Sequence, residues 1–211
     1  ELNDNAINRE EIREYLNAVY VLERLMSRVS YQSANPRDLT AFKTSLAMLP
    51  HIRSLLSCMT SELLRSVYNE IDPLEDLYNL IEAAIEDEPP IAVREGGIIK
   101  QGYYEEVDIL RAAKTEGKSW LMALEEREKE RTGIKNLRIR YNRVFGYYLE
   151  VTNSFKELVP MDWVRKQTLT NAERYTTPEL KELEDKILNA EDRLFTLEYD
   201  LFAAVREQIA S

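Results

Sequence analysis

Nothing interrupts the last stretch of this chain. From Pro178 to Ile209 there is neither a glycine nor a second proline, and Leu180, Leu183, Ile187, Ala190, Leu194, Leu197 and Leu201 recur three or four residues apart. Thr177 is placed to cap the first turn and Pro178 to occupy its first position. About 32 residues at about 1.5 Å rise give a helix of about 48 Å, longer than a compact domain of this size needs. Such a helix is expected to project and to pair with a second one. Residues 105–131 supply the partner, with Val107, Leu110, Leu121 and Leu124 on an apolar side and Gly117 as a weak point. The pattern still runs helical at Ser211 without a glycine cap, as in a fragment cut from a longer chain.

Upstream, one helix is expected from about Asn8 to Arg28 on the spacing of Ile12, Tyr15, Leu16, Val19, Leu22 and Leu25. In "SANPRDLTAFKTSLAMLP", Asn35 is the N-cap, Pro36 the first helical residue and Asp38 an acid in the first turn, with Pro50 as the stop. Shorter helices are expected at Arg53 to Leu56 and Ser61 to Ile71. Another starts at Asp72-Pro73 and is halted by Pro89-Pro90, and "REGGIIKQGYY" reads as an exposed β-like excursion.

Between the two long helices, "LRIRYN" and "YYLEVT" alternate as strands, joined through "NRVFG", where Asn142 and Gly146 suit a tight reversal. Arg138 and Arg140 share one strand face; Leu137, Ile139 and Tyr141 share the other. A third strand is expected across "RKQTLTNAERY". The fold class is therefore mainly α: a helical core with a long antiparallel helix pair carrying a small antiparallel β clamp at its tip. The expected divisions are 1–104 for the helical core and lever, 105–132 for the entering helix, 133–176 for the β-rich part and 177–211 for the returning helix.

The formal charge of −10 argues against nucleic acid as a partner when taken as an average. It is not evenly spread. Residues 133–175 hold eight basic against four acidic side chains, a balance of +4, which leaves −14 for the rest. The single cysteine, Cys58, permits no intrachain disulfide and no thiolate metal cluster. With no signal peptide and no run of about 18 apolar residues, a soluble, cytoplasmic protein without membrane partners is expected.

No phosphate-binding GxxxxGK[ST], GxSxG or HExxH motif and no Cys/His metal spacing occurs, so no catalytic role is expected. His51 follows Pro50 near a helix start, where a lone imidazole is a cap or surface residue. Glu125, Glu126, Glu128 and Glu130 alternate with Arg127, Lys129 and Arg131, which makes a salt-bridged helix face rather than a metal site. In the β part, basic side chains alternate with amide and hydroxyl donors, the groups that hold DNA phosphates without reading bases. Composition alone leaves that reading open beside a small β-domain with a basic surface. It also leaves open a helical protein-protein interaction or oligomerisation module using Tyr141, Phe145, Tyr147 and Tyr148, which otherwise form the β part's small core.

"NRVFGYYLEVTNS", followed by "VRKQTLTNAERYTTPELKELEDKIL", closely resembles the clamp and returning lever helix of the MutS family of DNA mismatch-repair proteins. "LERLMSRVSYQSANPRDLTAFKTSLAMLPHI" is similar to the same family's core segment, and "WLMALEEREKERTGIKNL" to the helix entering the clamp. The resemblance runs through nearly all 211 residues, in family order.

The resemblance implies clamp contacts to the duplex backbone through Asn142 and the run Thr168, Leu169, Thr170 and Asn171. Arg143, Lys166 and Gln167 are added because each can donate to a phosphate oxygen. Family members often have lysine where Asn153 and Thr170 stand, and each loss is expected to weaken attraction. The family's mismatch wedge is Phe-x-Glu; Phe155-Lys156-Glu157 matches the letters but lies in the clamp and is read as coincidence. For the whole family protein the resemblance implies ATP and magnesium as cofactors, a homodimer, and mismatch-containing double-stranded DNA as partner. For this segment it implies no cofactor, non-sequence-specific backbone contacts, and levers that couple the clamp to an ATPase domain.

Overall fold

The computed structural model describes residues 1–19 and 21–211. The chain divides into two compact units, one of residues 1–104 and 195–211, the other of residues 105–194.

In the first unit six helices precede a loop: α1 (Ala6–Val19), α2 (Leu22–Ser30), α3 (Pro36–Leu46), α4 (Leu49–Leu56), α5 (Glu62–Glu70) and α6 (Glu75–Ala84). The helix expected from Asn8 to Arg28 is thus two; Tyr20, which falls between them, lies outside the described residues. The last turn of α1 is tied to α3, where the Ser45 hydroxyl donates to the Ala18 carbonyl at 2.9 Å. The start of α3 follows its sequence. The Asn35 side chain accepts from the Asp38 amide and the Asp38 carboxylate accepts from the Asn35 amide, both at 2.9 Å. Pro50 does not stop α3; it sits in the first turn of α4, where a missing N–H leaves no bond unmade.

Helix α6 ends five residues before Pro89. Ile85 turns extended and bridges Ile99, while the Glu86 amide donates to the Ile98 carbonyl at 2.8 Å. Residues 94–104 are therefore less exposed than expected: Ile98 and Ile99 are fully buried. Helix α8 (Pro178–Ala210) ends in this unit and holds the loop, its Glu198 carboxylate accepting from the amides of Gly97, Ile98 and Ile99 at 3.0–3.1 Å.

The second unit joins α7 (Glu105–Thr132), the first part of α8, and four strands, β1 (Arg138–Asn142), β2 (Gly146–Thr152), β3 (Val164–Thr168) and β4 (Ala172–Thr176). Thr177 caps α8 as expected, its hydroxyl accepting from the Leu180 amide at 3.1 Å. The two helices are antiparallel: Arg127 pairs with Glu179, Lys114 with Glu191 and Arg193 with Glu106. Gly117 is no weak point. It is buried where the helices approach, and a Cβ there would lie 2.5 Å from Ile187 Cγ1.

The sheet is wholly antiparallel in the order β1-β2-β4-β3, with two strands where one was expected after residue 163. Thr170 and Asn171 make the intervening turn, closed by the Leu169 amide donating to the Ala172 carbonyl at 2.8 Å. Leu149, Val151 and Tyr175 pack one sheet face against Leu121, Leu124, Leu180 and Ile187, with Ile134, Leu137 and Trp163 closing the cluster. Each large side chain so buried contributes roughly 1.5–3 kcal/mol. Phe155 packs on this cluster from a 3-10 turn (Asn153–Leu158), which agrees with reading its Phe-x-Glu as accidental.

Candidate functional site

The face of the sheet turned away from that core carries the charge. Arg138, Glu150, Arg174 and Gln167 are paired in one row across all four strands, and the Arg140–Tyr148 pair lies in the next row of the same face. Glu150 takes Arg174 at 3.3 Å and Arg140 at 3.7 Å. The Arg174 guanidinium also lies 4.4 Å from the centroid of the Tyr148 ring, which is buried although it sits on the polar face. Arg138 reaches Glu125 at 3.7 Å and Arg165 reaches Glu173 at 3.6 Å. Half of the basic residues of the β part are thus tied to their own scaffold. Lys135, Arg143, Lys156 and Lys166 are exposed and make no salt bridge among the described residues.

Asn142 ends β1. Its side-chain oxygen accepts from the amides of Val144 and Phe145 at 3.0 and 2.7 Å, which fixes the three-residue loop Arg143 to Phe145 and leaves the carboxamide N–H groups as donors. Gly146 closes the turn at φ +73°, where the Glu184 carboxylate fills the space of a side chain.

The strand register separates this turn from the other candidates. Gly146 begins β2 and Thr152, which pairs with Ala172, ends it. Six residues at about 3.3 Å put roughly 20 Å between the Asn142 turn and the Thr170-Asn171 turn. Thr168, Thr170 and Asn171 gather at that second corner. Asn153 ties them down, its amide donating to the Asn171 carbonyl at 3.0 Å and its side-chain amide to the Thr170 carbonyl at 2.9 Å. Lys166 is the extra residue of a bulge, since Arg165 faces Tyr175 and Gln167 faces the adjacent Arg174. The bulge aims the lysine away from the ladder on an edge strand. Gln167 is half-buried, and its side-chain oxygen accepts from Arg174 at 2.8 Å.

Sequence reasoning passed over the groups that hold these corners. Glu125 of α7 accepts from the Ile139 amide at 2.8 Å and closes the free edge of β1. Burial works against its charge, but the Ile139 amide, Lys129 and Arg138 outweigh it and hold its carboxyl below the usual range. Glu184 of α8 accepts from the Tyr147 amide at 2.7 Å. Burial pushes the Tyr175 hydroxyl up to about 12, helped by its hydrogen bond to Glu173. A signal for Glu184 was present: it falls one helical turn after Leu180, on the apolar stripe, where a carboxylate must find donors. Asn153 carried no such signal.

The architecture defines a mainly α protein in which an antiparallel helix pair carries a four-stranded antiparallel sheet with a cationic rim. Residues 102–193 match the family model described as MutS family domain IV. Over 210 residues, all of this chain, it is 70% identical to the DNA mismatch repair protein MutS of Lachnoclostridium phytofermentans. It is 53% identical over 210 residues to the MutS proteins of Acetivibrio thermocellus and of Ruminiclostridium cellulolyticum. The chain is thus similar to MutS proteins along its whole length, and to the family's domain IV over residues 102–193. It spans 22–24% of the length of these curated relatives.

Among the described residues there is no group of three or more His, Cys, Asp and Glu that could hold a metal ion. Among the described residues no helix is long and apolar enough to cross a membrane.

Proposed function

We propose that residues 133–176 are a clamp that binds the backbone of duplex DNA without sequence preference. One observation carries this reading. Carboxylates of the sheet and of α7 pair with Arg138, Arg140, Arg165 and Arg174, yet Lys135, Arg143, Lys156 and Lys166 are exposed with no salt bridge among the described residues, in an otherwise acidic chain. Each can replace a condensed counterion on a phosphate. Asn142, with its oxygen engaged by the turn, offers only donors outward, and Thr168, Thr170, Asn171 and the free amide of Gln167 add neutral ones.

The two corners, roughly 20 Å apart, are far enough from each other to meet different phosphates of a duplex. Neutralising about four phosphates gives a slope of log K against log salt of about −3.6, and an affinity in the high micromolar to millimolar range for the chain alone. The acidic remainder repels the polyanion and confines contact to the clamp. In the whole protein, mismatch recognition, a homodimer and an ATPase acting on the clamp through the lever helices complete this reading.

Titration of a labelled non-specific duplex at two salt concentrations tests the reading. Binding that weakens steeply with salt is expected. Salt-insensitive self-association with no duplex binding would instead mark a protein interaction module.

A further inference from the structure

The Asn142 turn is not held by its own hairpin alone. Glu184 belongs to α8, is 6% exposed at its side chain, and sends one oxygen to the Tyr147 amide at 2.7 Å while the other lies 3.2 Å from Lys181. The same carboxylate occupies the space of a side chain at position 146: a Cβ on Gly146 would lie 1.5 Å from Glu184 Oε1 and 2.5 Å from its carboxyl carbon. Gly146 is thus required twice, for φ +73° and for the approach of a carboxylate. A buried carboxylate against apolar surroundings is costly unless it is hydrogen-bonded. Here it receives its bond from the first residue after the turn.

We propose that Glu184 is a positioning residue, through which α8 sets the conformation of the Asn142–Gly146 turn and so the direction in which Asn142 and Arg143 are presented. The chemistry follows from the contacts. The Glu184 carboxylate fixes the Tyr147 amide and, through it, the peptide plane after Gly146. That plane fixes where β2 begins, and the Asn142 oxygen can reach the Val144 and Phe145 amides only when both ends of the three-residue loop are in register. Because Glu184 rides on a rigid helix, a rotation of α8 at this point carries the turn with it. The presentation of Asn142 and Arg143 as phosphate contacts rests on the clamp reading above; the fixing of the turn does not.

The test uses the full 211-residue chain with two independent readouts: amide hydrogen exchange, and titration of a labelled non-specific duplex. In Glu184→Ala, exchange at the Tyr147 amide is expected to quicken about tenfold or more, while Leu149 and Tyr175 in the sheet core stay protected. Duplex affinity should fall several-fold and the salt slope shrink by about one phosphate. Glu184→Gln, whose side-chain oxygen still accepts, should restore both. Gly146→Ala, which leaves Glu184 in place but drives it off the amide, should reproduce Glu184→Ala; it supplies the comparison if the alanine at 184 disorders the sheet. Unchanged Tyr147 exchange in Glu184→Ala or Gly146→Ala overturns the proposal. A wild-type chain that fails to bind duplex overturns the clamp reading and leaves the exchange result standing.

Discussion

A carboxylate whose folded-state affinity for protons is reduced stabilises the fold fully above its unfolded value, about 4.3, and that contribution disappears as the pH falls through the lower folded value. Glu125 is such a group, lowered by the Ile139 amide, Lys129 and Arg138 against the opposing effect of burial. Acidification below about pH 4 should therefore release the edge of β1. In Glu125→Gln that acid-induced loss should be smaller and the stability at neutral pH lower by about 1–2 kcal/mol, followed by Trp163 fluorescence against pH. Tyr175 has the opposite sign. Its folded value of about 12 lies above the ordinary 10, so its contribution is complete below pH 10 and lost as the pH rises through 12. An ultraviolet titration should find the Tyr175 phenolate ionising late, and Glu173→Gln should bring it earlier. Asn142→Asp separates two roles of one side chain: the turn keeps its acceptor, whereas the outward donors become a negative charge. Unaltered duplex binding by that variant would remove Asn142 from the interface.

At the level of elements, the same device recurs three times. Glu125, Glu184 and Glu198 each leave a helix to accept backbone amides from a segment that is not helical: Ile139, Tyr147 and the Gly97–Ile99 loop. Backbone groups at strand edges and in loops need partners once buried, and a helix can supply them only through long acceptor side chains. Helix pairing relies on absence instead. Gly117 lets α7 meet Ile187 of α8, so Gly117→Ala, which gains up to about 1 kcal/mol of helix propensity in isolation, should still destabilise the second unit by about 1–2 kcal/mol because Ile187 Cγ1 cannot move freely. Ile187→Ala costs stability on its own, but in that background the glycine substitution should become neutral or favourable. A denaturant double-mutant cycle measures the coupling, and additivity would show that the close approach is immaterial.

For the whole molecule, the segregation of charge is the property with functional weight. The part of the chain with a balance of +4 sits in a chain of −10, and only some of its cations are consumed by internal pairs. Arg143→Glu with Lys166→Glu reverses two cations that make no salt bridge among the described residues, and touches neither the core nor an observed ion pair. The helical spectrum should be retained and duplex binding lost by at least about tenfold, with a flatter salt dependence. Retained binding would move the interface to another surface of the chain. Much of this organisation was legible beforehand. The Thr177-Pro178 start, the Asn35 capping box, the two alternating strands and the clustering of basic residues depend on neighbours a few positions away, and local spacing encodes them directly. The early end of α6 and the burial of Ile98 and Ile99 were not legible, because the groups that decide them, Ile99 and Glu198, are distant in sequence.

The candidate site divides along the same line. By itself the sequence determined which residues carry donors and charge, since residue identity and the period of a strand suffice to place Arg138 and Arg140 on one face and Leu137 and Ile139 on the other. Only the tertiary structure decided which of those cations remain available. It also set the Asn142 turn and the Thr170-Asn171 turn at opposite ends of β2, turned Gly117 from a flaw into a contact, and placed Glu184 against Gly146. Ion pairing, strand order and the fit of a side chain into a missing Cβ are settled by groups tens of residues apart, and no periodicity within one segment contains them.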